Sequence, residues 1–388
     1  MTERTPPGVR WISWLPGDGF GDAAVGYLGA LDALGVPLTW TVLGWGDAGQ
    51  PVERRHYEGP LDHLVGRAID HDTVVVHLPP GHHDRWREEA DGRRIVLCTT
   101  WESDRLTDSS VDACAGFDAV FVPSTFNQQA LLTSGCPTPV HVVPHCARRI
   151  SRVEPAHFER IGDRFTFYTI GPWTTRKAIA ETVTAFLDAF DADDEVALIV
   201  KTSALDHKAV RAGRGLPAEG PSGHEVAVWP AFASLLAGRR NVPAIQLIAG
   251  HVPAREVDAL HARGNCFFSL TRSEGWGLNI ADALLFGHPV VVTGWGGHLD
   301  YLGGDYPLLV DYDLVPTADD PPDDWFSAGE GHRWARARHD HTVDVLRWVA
   351  DKRDEAAAIG STVGARLARD CAPDVIGRRL LSLVRPSS

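Results

Sequence analysis

Short apolar runs alternate with segments of helical period along most of the chain, and the alternation occurs twice. In the first half, Val9–Leu15, Leu38–Leu43, Thr73–Leu78, Arg94–Thr99, Ala119–Pro123 and Val140–Pro144 predict strands. Helical segments lie between them, as at Asp22–Leu34 and Phe126–Ser134. Ile150–Asp163 is polar with weak periodicity and reads as a linker. The pattern then restarts with a strand at Phe165–Ile170 and a helix at Lys177–Asp188. Strands follow at Val196–Lys201, Ile245–Ala249, Cys266–Leu270 and Pro289–Thr293. Strands that alternate with helices make parallel sheets, so the fold class is α/β with two Rossmann-like halves.

Two regions depart from this rhythm. Residues 311–341 are rich in Pro and Asp and poor in periodic apolar positions. They read as a long surface excursion, with a lid and a plain loop both open. From Thr342 onward the pattern is helical, with an interruption near Pro373. The resulting division is an N-terminal domain over residues 1–155, a second over 156–360, and a helical segment over 361–388 expected to pack back on the first.

Composition narrows the function. A formal charge of −14 argues against a nucleic-acid-binding surface, although a local basic pocket remains compatible with it. No apolar run approaches the roughly 20 residues that span a bilayer, and residues 1–10 lack the apolar core of a signal peptide. The six cysteines form no CxxC pair, so a zinc ribbon is not indicated and a cytoplasmic location is expected. The tightest histidine cluster, His82-His83-Asp84, reads as a solvated loop before it reads as a metal site.

The densest chemistry lies in SEGWGLNIADALLFGHPVVVTGWGGHLDYL, residues 273–302. Gly275 and Gly277 flank Trp276 and let the backbone approach a ligand before a helix. Asn279 is a candidate cap, and Gly287 with Pro289 stops the helix. The helix's free N–H groups favour phosphate oxygens. Glu274 before the helix and Asp282 within it are suited to accept hydrogen bonds from hydroxyls. Arg176 and Lys177 stand at the start of the helix after Phe165–Ile170, where cations are unfavourable to the helix dipole unless an anion draws them there. Lys201 closes the run VALIVK, with a cleft-facing cation and a solvated strand end both open.

The first half is less specific. Gly17-Asp18-Gly19 follows the first strand, and on its own a tight turn explains it. His77 ends the run TVVVH, where a satisfied strand-end histidine is the alternative to a cleft residue. Ser124 either binds a polar group or caps the next helix. The tryptophans Trp101, Trp173, Trp276 and Trp295 near strand ends read as core or rim residues before they read as stacking platforms.

GPWTTRKAIAETVTAF, VALIVKTS, LTRSEGWGLNIADALLFGHPVVVTGWGGHLDYL, CTTWESDRL and DAVFVPSTFNQQALLTSG together resemble the retaining GT-B glycosyltransferases of the group 1, or family four, type. The resemblance implies two facing Rossmann-like domains, an NDP-sugar held mainly by the second, a hydroxyl-bearing acceptor, and neither a cofactor nor a metal. It places the donor pyrophosphate on Arg176, Lys177 and Lys201, the transferred sugar on Glu274 and the ribose on Asp282, with Gly275, Trp276, Gly277 and Leu278 also in the donor site. It brings Gly19 near the donor phosphate and puts Gly17, Asp18, His77, Glu102 and Ser124 on the acceptor side. The catalytic set it implies is Glu274, Lys177, Glu102 and His77. Three departures stand out: Asp282 replaces a glutamate, Pro172 occupies a frequent arginine position, and Glu102 stands near a frequent histidine. Two other readings are a GT-B enzyme of different chemistry, such as an epimerase or a non-glycosidic coupling enzyme, and a non-catalytic nucleotide-sugar binder.

Overall fold

A computed structural model describes residues 8–45, 51–79, 84–207, 228–319 and 331–385. The His82-His83-Asp84 cluster lies outside the described side chains. The chain divides into two compact units, Met1–Arg148 with Ala368–Ser388, and Arg149–Leu367.

The first unit holds strands β1 (Gly8–Trp14), β2 (Leu38–Trp45), β3 (Pro51–Arg54), β4 (His71–His77), β5 (Arg94–Cys98), β6 (Ala119–Val122) and β7 (Val140–Val142). Their order in the sheet is β3-β2-β1-β4-β5-β6-β7. All neighbours are parallel except β2 and β3. The Val-rich interior of β4 is buried on both faces, as a parallel strand between helical layers requires. Pro373 opens the last helix, Pro373–Val384, at a first-turn position that has no partner for an N–H. That helix packs on Gly19–Ala33, where a Cβ on Gly377 would lie 3.0 Å from the Ala30 carbonyl. Thr73 and Arg94 donate to the carbonyls of Val384 and Leu383, satisfying acceptors that a helix end leaves open.

The second unit holds β8 (Phe165–Ile170), β9 (Val196–Thr202), β10 (Ala244–Ala249), β11 (Cys266–Ser269), β12 (Val290–Thr293) and β13 (Leu309–Val310) in the order β10-β9-β8-β11-β12-β13. All are parallel. Phe167, Phe186 and Phe190 stack into its core, with ring centroids 5.1 to 5.8 Å apart. The described residues 311–319 and 331–341 differ from the expected excursion. β14 (Tyr312–Pro316) and β15 (Arg333–Ala337) pair antiparallel, and Trp334 is fully buried. The alternation is too short and too broken by Pro and Asp to show in sequence.

In each sheet the order reverses once, between β1 and β4 and again between β8 and β11. Ligands of open α/β sheets bind beyond the carboxyl ends of the strands at such a reversal. The Gly17 loop and His77 lie there in the first unit, and the Gly171–Lys177 and Leu270–Gly277 loops lie there in the second.

Candidate functional site

The two loops at the second reversal are tied together before any ligand is considered. Arg272 donates its backbone N–H to the Arg176 carbonyl at 2.8 Å. Its buried guanidinium reaches the Thr175 carbonyl at 3.0 Å and Glu181 at 2.9 Å, and lies 5.2 Å from the Trp334 ring centroid. Thr271 donates to Glu274 Oε1 at 2.9 Å.

Glu274 is the centre of this arrangement and is 6% exposed. Lys177 Nζ donates to its two oxygens at 2.6 and 2.8 Å, and Arg176 Nη1 lies 3.8 Å away. Burial alone would raise this carboxyl. The charges of Lys177 and Arg176, with hydrogen bonds from Lys177 and Thr271, outweigh burial and hold it below the usual carboxylate range. Two cations, Arg176 and Lys177, thus stand against the Glu274 carboxylate. Lys201 is half-buried beside Ile170 in the next strand, and burial lowers its ammonium from the usual lysine value. Its carbonyl accepts from Gly171, and a Cβ on Gly171 would lie 3.7 Å from the Lys177 stem, so both lysines stand on one sheet edge.

The helix start differs from expectation. Arg176 and Lys177 are not in the helix; they lie in a preceding turn in which Ala178 donates to Thr174, and the helix runs Ile179–Ala189. Ala178 caps it in the left-handed region, at φ 48° and ψ 40°. A Cβ there costs roughly 1–2 kcal/mol. Ala178→Gly is therefore expected to raise the urea midpoint, by about 1 kcal/mol in stability, where the same change inside a helix costs about that much. A loss on replacement would contradict the strain.

The Leu278–Leu285 helix also starts differently. Its cap is Gly277, at φ 82° with no side-chain cap, and Asn279 is the second helical residue, with its amide on the Ile170 carbonyl. The uncapped N-terminus keeps its positive dipole end. Trp276 is buried against Tyr301, with ring centroids 4.8 Å apart, and the Tyr301 hydroxyl donates to the Trp276 carbonyl at 2.9 Å. Its indole therefore packs beneath the loop. Gly296, at φ 132°, backs the same loop, because a Cβ there would lie 3.1 Å from the Glu274 carbonyl. Gly297 donates to that carbonyl at 2.7 Å. Gly275 is buried in this loop, Leu278 opens the helix, and Asp282 is half-buried on it.

The first unit places its candidates at its own strand ends. Asp18 caps Gly19–Ala33 by accepting from Gly21 at 2.8 Å, and Gly17 donates to Asp22 at 3.1 Å with φ 119°. Gly21 has no room for a side chain, since a Cβ would meet the Leu15 carbonyl at 2.3 Å. His77 is 2% exposed among Trp11, Phe20 and Tyr27. Burial, with His145 nearby, lowers it to about 3, so it is neutral at pH 7. NMR ring resonances of His77 are expected to stay at their neutral positions from pH 8 down to 5; a midpoint near the unperturbed value of about 6.5 would contradict its burial. Glu102 is buried in the loop after β5. Ser124 caps the helix Thr125–Thr133 by accepting from Asn127 at 3.3 Å. The Trp101 indole donates to Ser103 and the Arg105 carbonyl, which makes it a strut of this loop.

Arg176, Lys177, Lys201, Glu274–Leu278 and Asp282 thus belong to the second unit, and Gly17, Asp18, Gly19, His77, Glu102 and Ser124 to the first. Thr271, Arg272 and Trp334 escaped the sequence reading. Thr271 and Arg272 adjoin the motif, but nothing in their spacing shows that they bridge two loops. Among the described residues no group of three His, Cys, Asp or Glu side chains is placed to hold a metal. No described helix is long and apolar enough to cross a membrane.

The sucrose-phosphate synthase of Thermosynechococcus elongatus superposes with a TM-score of 0.66 at 11% identity, over 97% of this chain and 98% of that one. The fold is GT-B. The Anabaena protein HepE, solved in complex with UDP-glucose, gives 0.63 at 11% identity over 97% and 99%. A UDP-forming trehalose-phosphate synthase from Burkholderia xenovorans gives 0.62 at 11% identity over 98% and 99%. No family model matches the chain, and no curated protein matches it in sequence.

Proposed function

We propose that the chain is a retaining glycosyltransferase that moves a sugar from an NDP-sugar to an acceptor hydroxyl. The observation that carries this reading is the buried Lys177–Glu274 pair, with Arg176 beside it and Lys201 on the same strand edge, at the reversal of a Rossmann-like sheet. A second cation beside the pair and a helix N-terminus without a side-chain cap in the next loop are groups suited to bind a diphosphate.

As the glycosidic bond breaks, negative charge grows on the leaving diphosphate. Fixed cations stabilise it there without reorganising. In this reading Arg176, Lys177 and Lys201 take the diphosphate, Glu274 accepts from hydroxyls of the transferred sugar, and Asp282 accepts from the ribose. The acceptor's proton passes to the departing diphosphate oxygen. Glu274 is already ionised and ion-paired, so it is a poor general acid, and the two-carboxylate hydrolase scheme does not apply. The cations supply the countercharge, so no metal is required. Gly17, Asp18, His77, Glu102 and Ser124 form the acceptor side, where neutral His77 serves as a hydrogen-bonding group. A cytoplasmic location fits the use of a nucleotide sugar.

The likeness to HepE, solved with UDP-glucose, and to a UDP-forming synthase supports UDP-glucose as the first donor to try. A thermal-shift panel of UDP, GDP, ADP and dTDP tests the donor site. One nucleotide at a hundredfold excess over its Kd is expected to add about 2.7 kcal/mol of stability. No shift with any of them would count against the reading. The mass and anomeric configuration of the product separate transfer from epimerisation.

A further inference from the structure

None of the six cysteines is in a disulfide, and one residue, Thr138, draws Cys114 and Cys136 together. Cys114 ends the helix Asp108–Cys114 and is fully buried. Cys136 lies in the turn after the helix Thr125–Thr133, half-buried between exposed Gly135 and Pro137. Thr138 holds both. Its hydroxyl donates to the Cys114 carbonyl at 2.8 Å, and its carbonyl accepts from Cys136 Sγ at 3.8 Å. Thr138 thus joins the Cys136 sulfur to the Cys114 backbone and keeps the two residues side by side.

We propose that Cys114 and Cys136 form a peroxide-responsive disulfide site, with Cys136 as the attacking thiol and Cys114 as the resolving one. The asymmetry comes from position: Cys136 is open to solvent from its turn, and Cys114 lies behind it. The hydrogen bond from Cys114 stabilises a thiolate on Cys136 and pulls it below the usual thiol range, and the same bond raises Cys114. In the first step Cys136 thiolate attacks one oxygen of hydrogen peroxide and the O–O bond breaks. Cys136 becomes a sulfenic acid, and the departing hydroxide takes a proton to become water. In the second step Cys114 sulfur displaces the hydroxyl from Cys136, and that hydroxyl leaves as water with the Cys114 proton. The sum is two thiols and one peroxide giving one disulfide and two waters.

Cys146 and Cys371 are also neighbours, since Ala147 donates to the Cys371 carbonyl at 2.7 Å, but burial and the Cys371 thiol both raise Cys146. Cys98 and Cys266 are buried in central strands, where burial pushes their thiols up. The Cys136 turn also carries Ser134, whose hydroxyl accepts from the Leu106 backbone at 2.7 Å. The bond would therefore form in the turn that contacts Leu106, at the far end of the loop after β5. The proposal does not depend on the transferase reading.

The test treats the reduced full chain with a few equivalents of hydrogen peroxide, blocks the remaining thiols with iodoacetamide, and digests without reduction. Mass spectrometry should find one linked peptide pair joining Cys114 to Cys136, with Cys98 and Cys266 blocked only after unfolding. Cys114→Ala should stop the reaction at a sulfenic acid on Cys136 that dimedone captures, and Cys136→Ser should abolish the link. Two free thiols after peroxide, a link to any other cysteine, or a Cys114→Ala variant that dimedone does not label would overturn the proposal.

Discussion

Lys177→Ala is expected to reduce sugar transfer by about a thousandfold, the upper end for removing one preorganised donor from a developing charge. It is also expected to destabilise the protein by about 3 kcal/mol, because it leaves the buried Glu274 carboxylate without its two shortest hydrogen bonds. The pH dependence gives the mechanism away. In the native protein the Glu274 carboxyl sits below its unfolded value, so its pairing contributes stability above that value and loses it as pH falls through the lower folded one. In the variant burial becomes the dominant influence, the carboxyl is raised, and the sign reverses. The variant then loses stability as pH climbs above the unfolded value of about 4.3. Urea unfolding at pH 4.5 and 7.5 should show the gap between the two proteins widening with pH. The double variant Lys177→Ala/Glu274→Gln should recover stability at pH 7.5 and remain inactive. A gap independent of pH would mean that the ion pair contributes nothing.

Gly364→Ala is expected to cost about 3 kcal/mol, the upper part of the range for overpacking. Gly364 lies on the helix Arg353–Asp370, which packs on the end of the helix carrying Asp282. A Cβ there would lie 1.9 Å from the Leu284 carbonyl, which is backbone and cannot rotate aside. One turn earlier a Cβ on Gly360 would lie 2.2 Å from the Pro289 nitrogen. The two glycines thus set how closely the helices approach. The variant should melt roughly 5–10 °C lower by calorimetry, and Ser361→Ala, exposed on the same helix, should melt unchanged. Equal melting of Gly364→Ala and the native protein would contradict the close approach.

The parts visible in sequence were those in which one residue type has one physical use. The Val-rich runs of β4, β9 and β12 can only be buried strands, and Gly287 before Pro289 can only stop a helix. Glu274, Lys177 and Arg176 stood out because charge next to a buried strand end needs a reason. Their mutual contact did not, since 97 residues separate Lys177 from Glu274. Long separations in sequence likewise hid the Arg272 bridge to Glu181 and Trp334. Local propensity also misled. Asparagine is a good cap, yet Gly277 takes that place because the backbone there is left-handed, and Asn279 serves the Ile170 carbonyl. Ala178 in a left-handed cap goes against its own preference, and only the tertiary contacts of the Arg176–Lys177 turn hold it there.

The central claim is that this chain uses a nucleotide sugar, and release of nucleoside diphosphate tests it most directly. The full chain is incubated with UDP-glucose, and separately with GDP-, ADP- and dTDP-glucose, with and without a panel of hydroxyl acceptors. Diphosphate release is expected from one donor above the spontaneous rate, increased by an acceptor and lost in Lys177→Ala. No release from any of the four donors, or equal release from the native protein and Lys177→Ala, would contradict it.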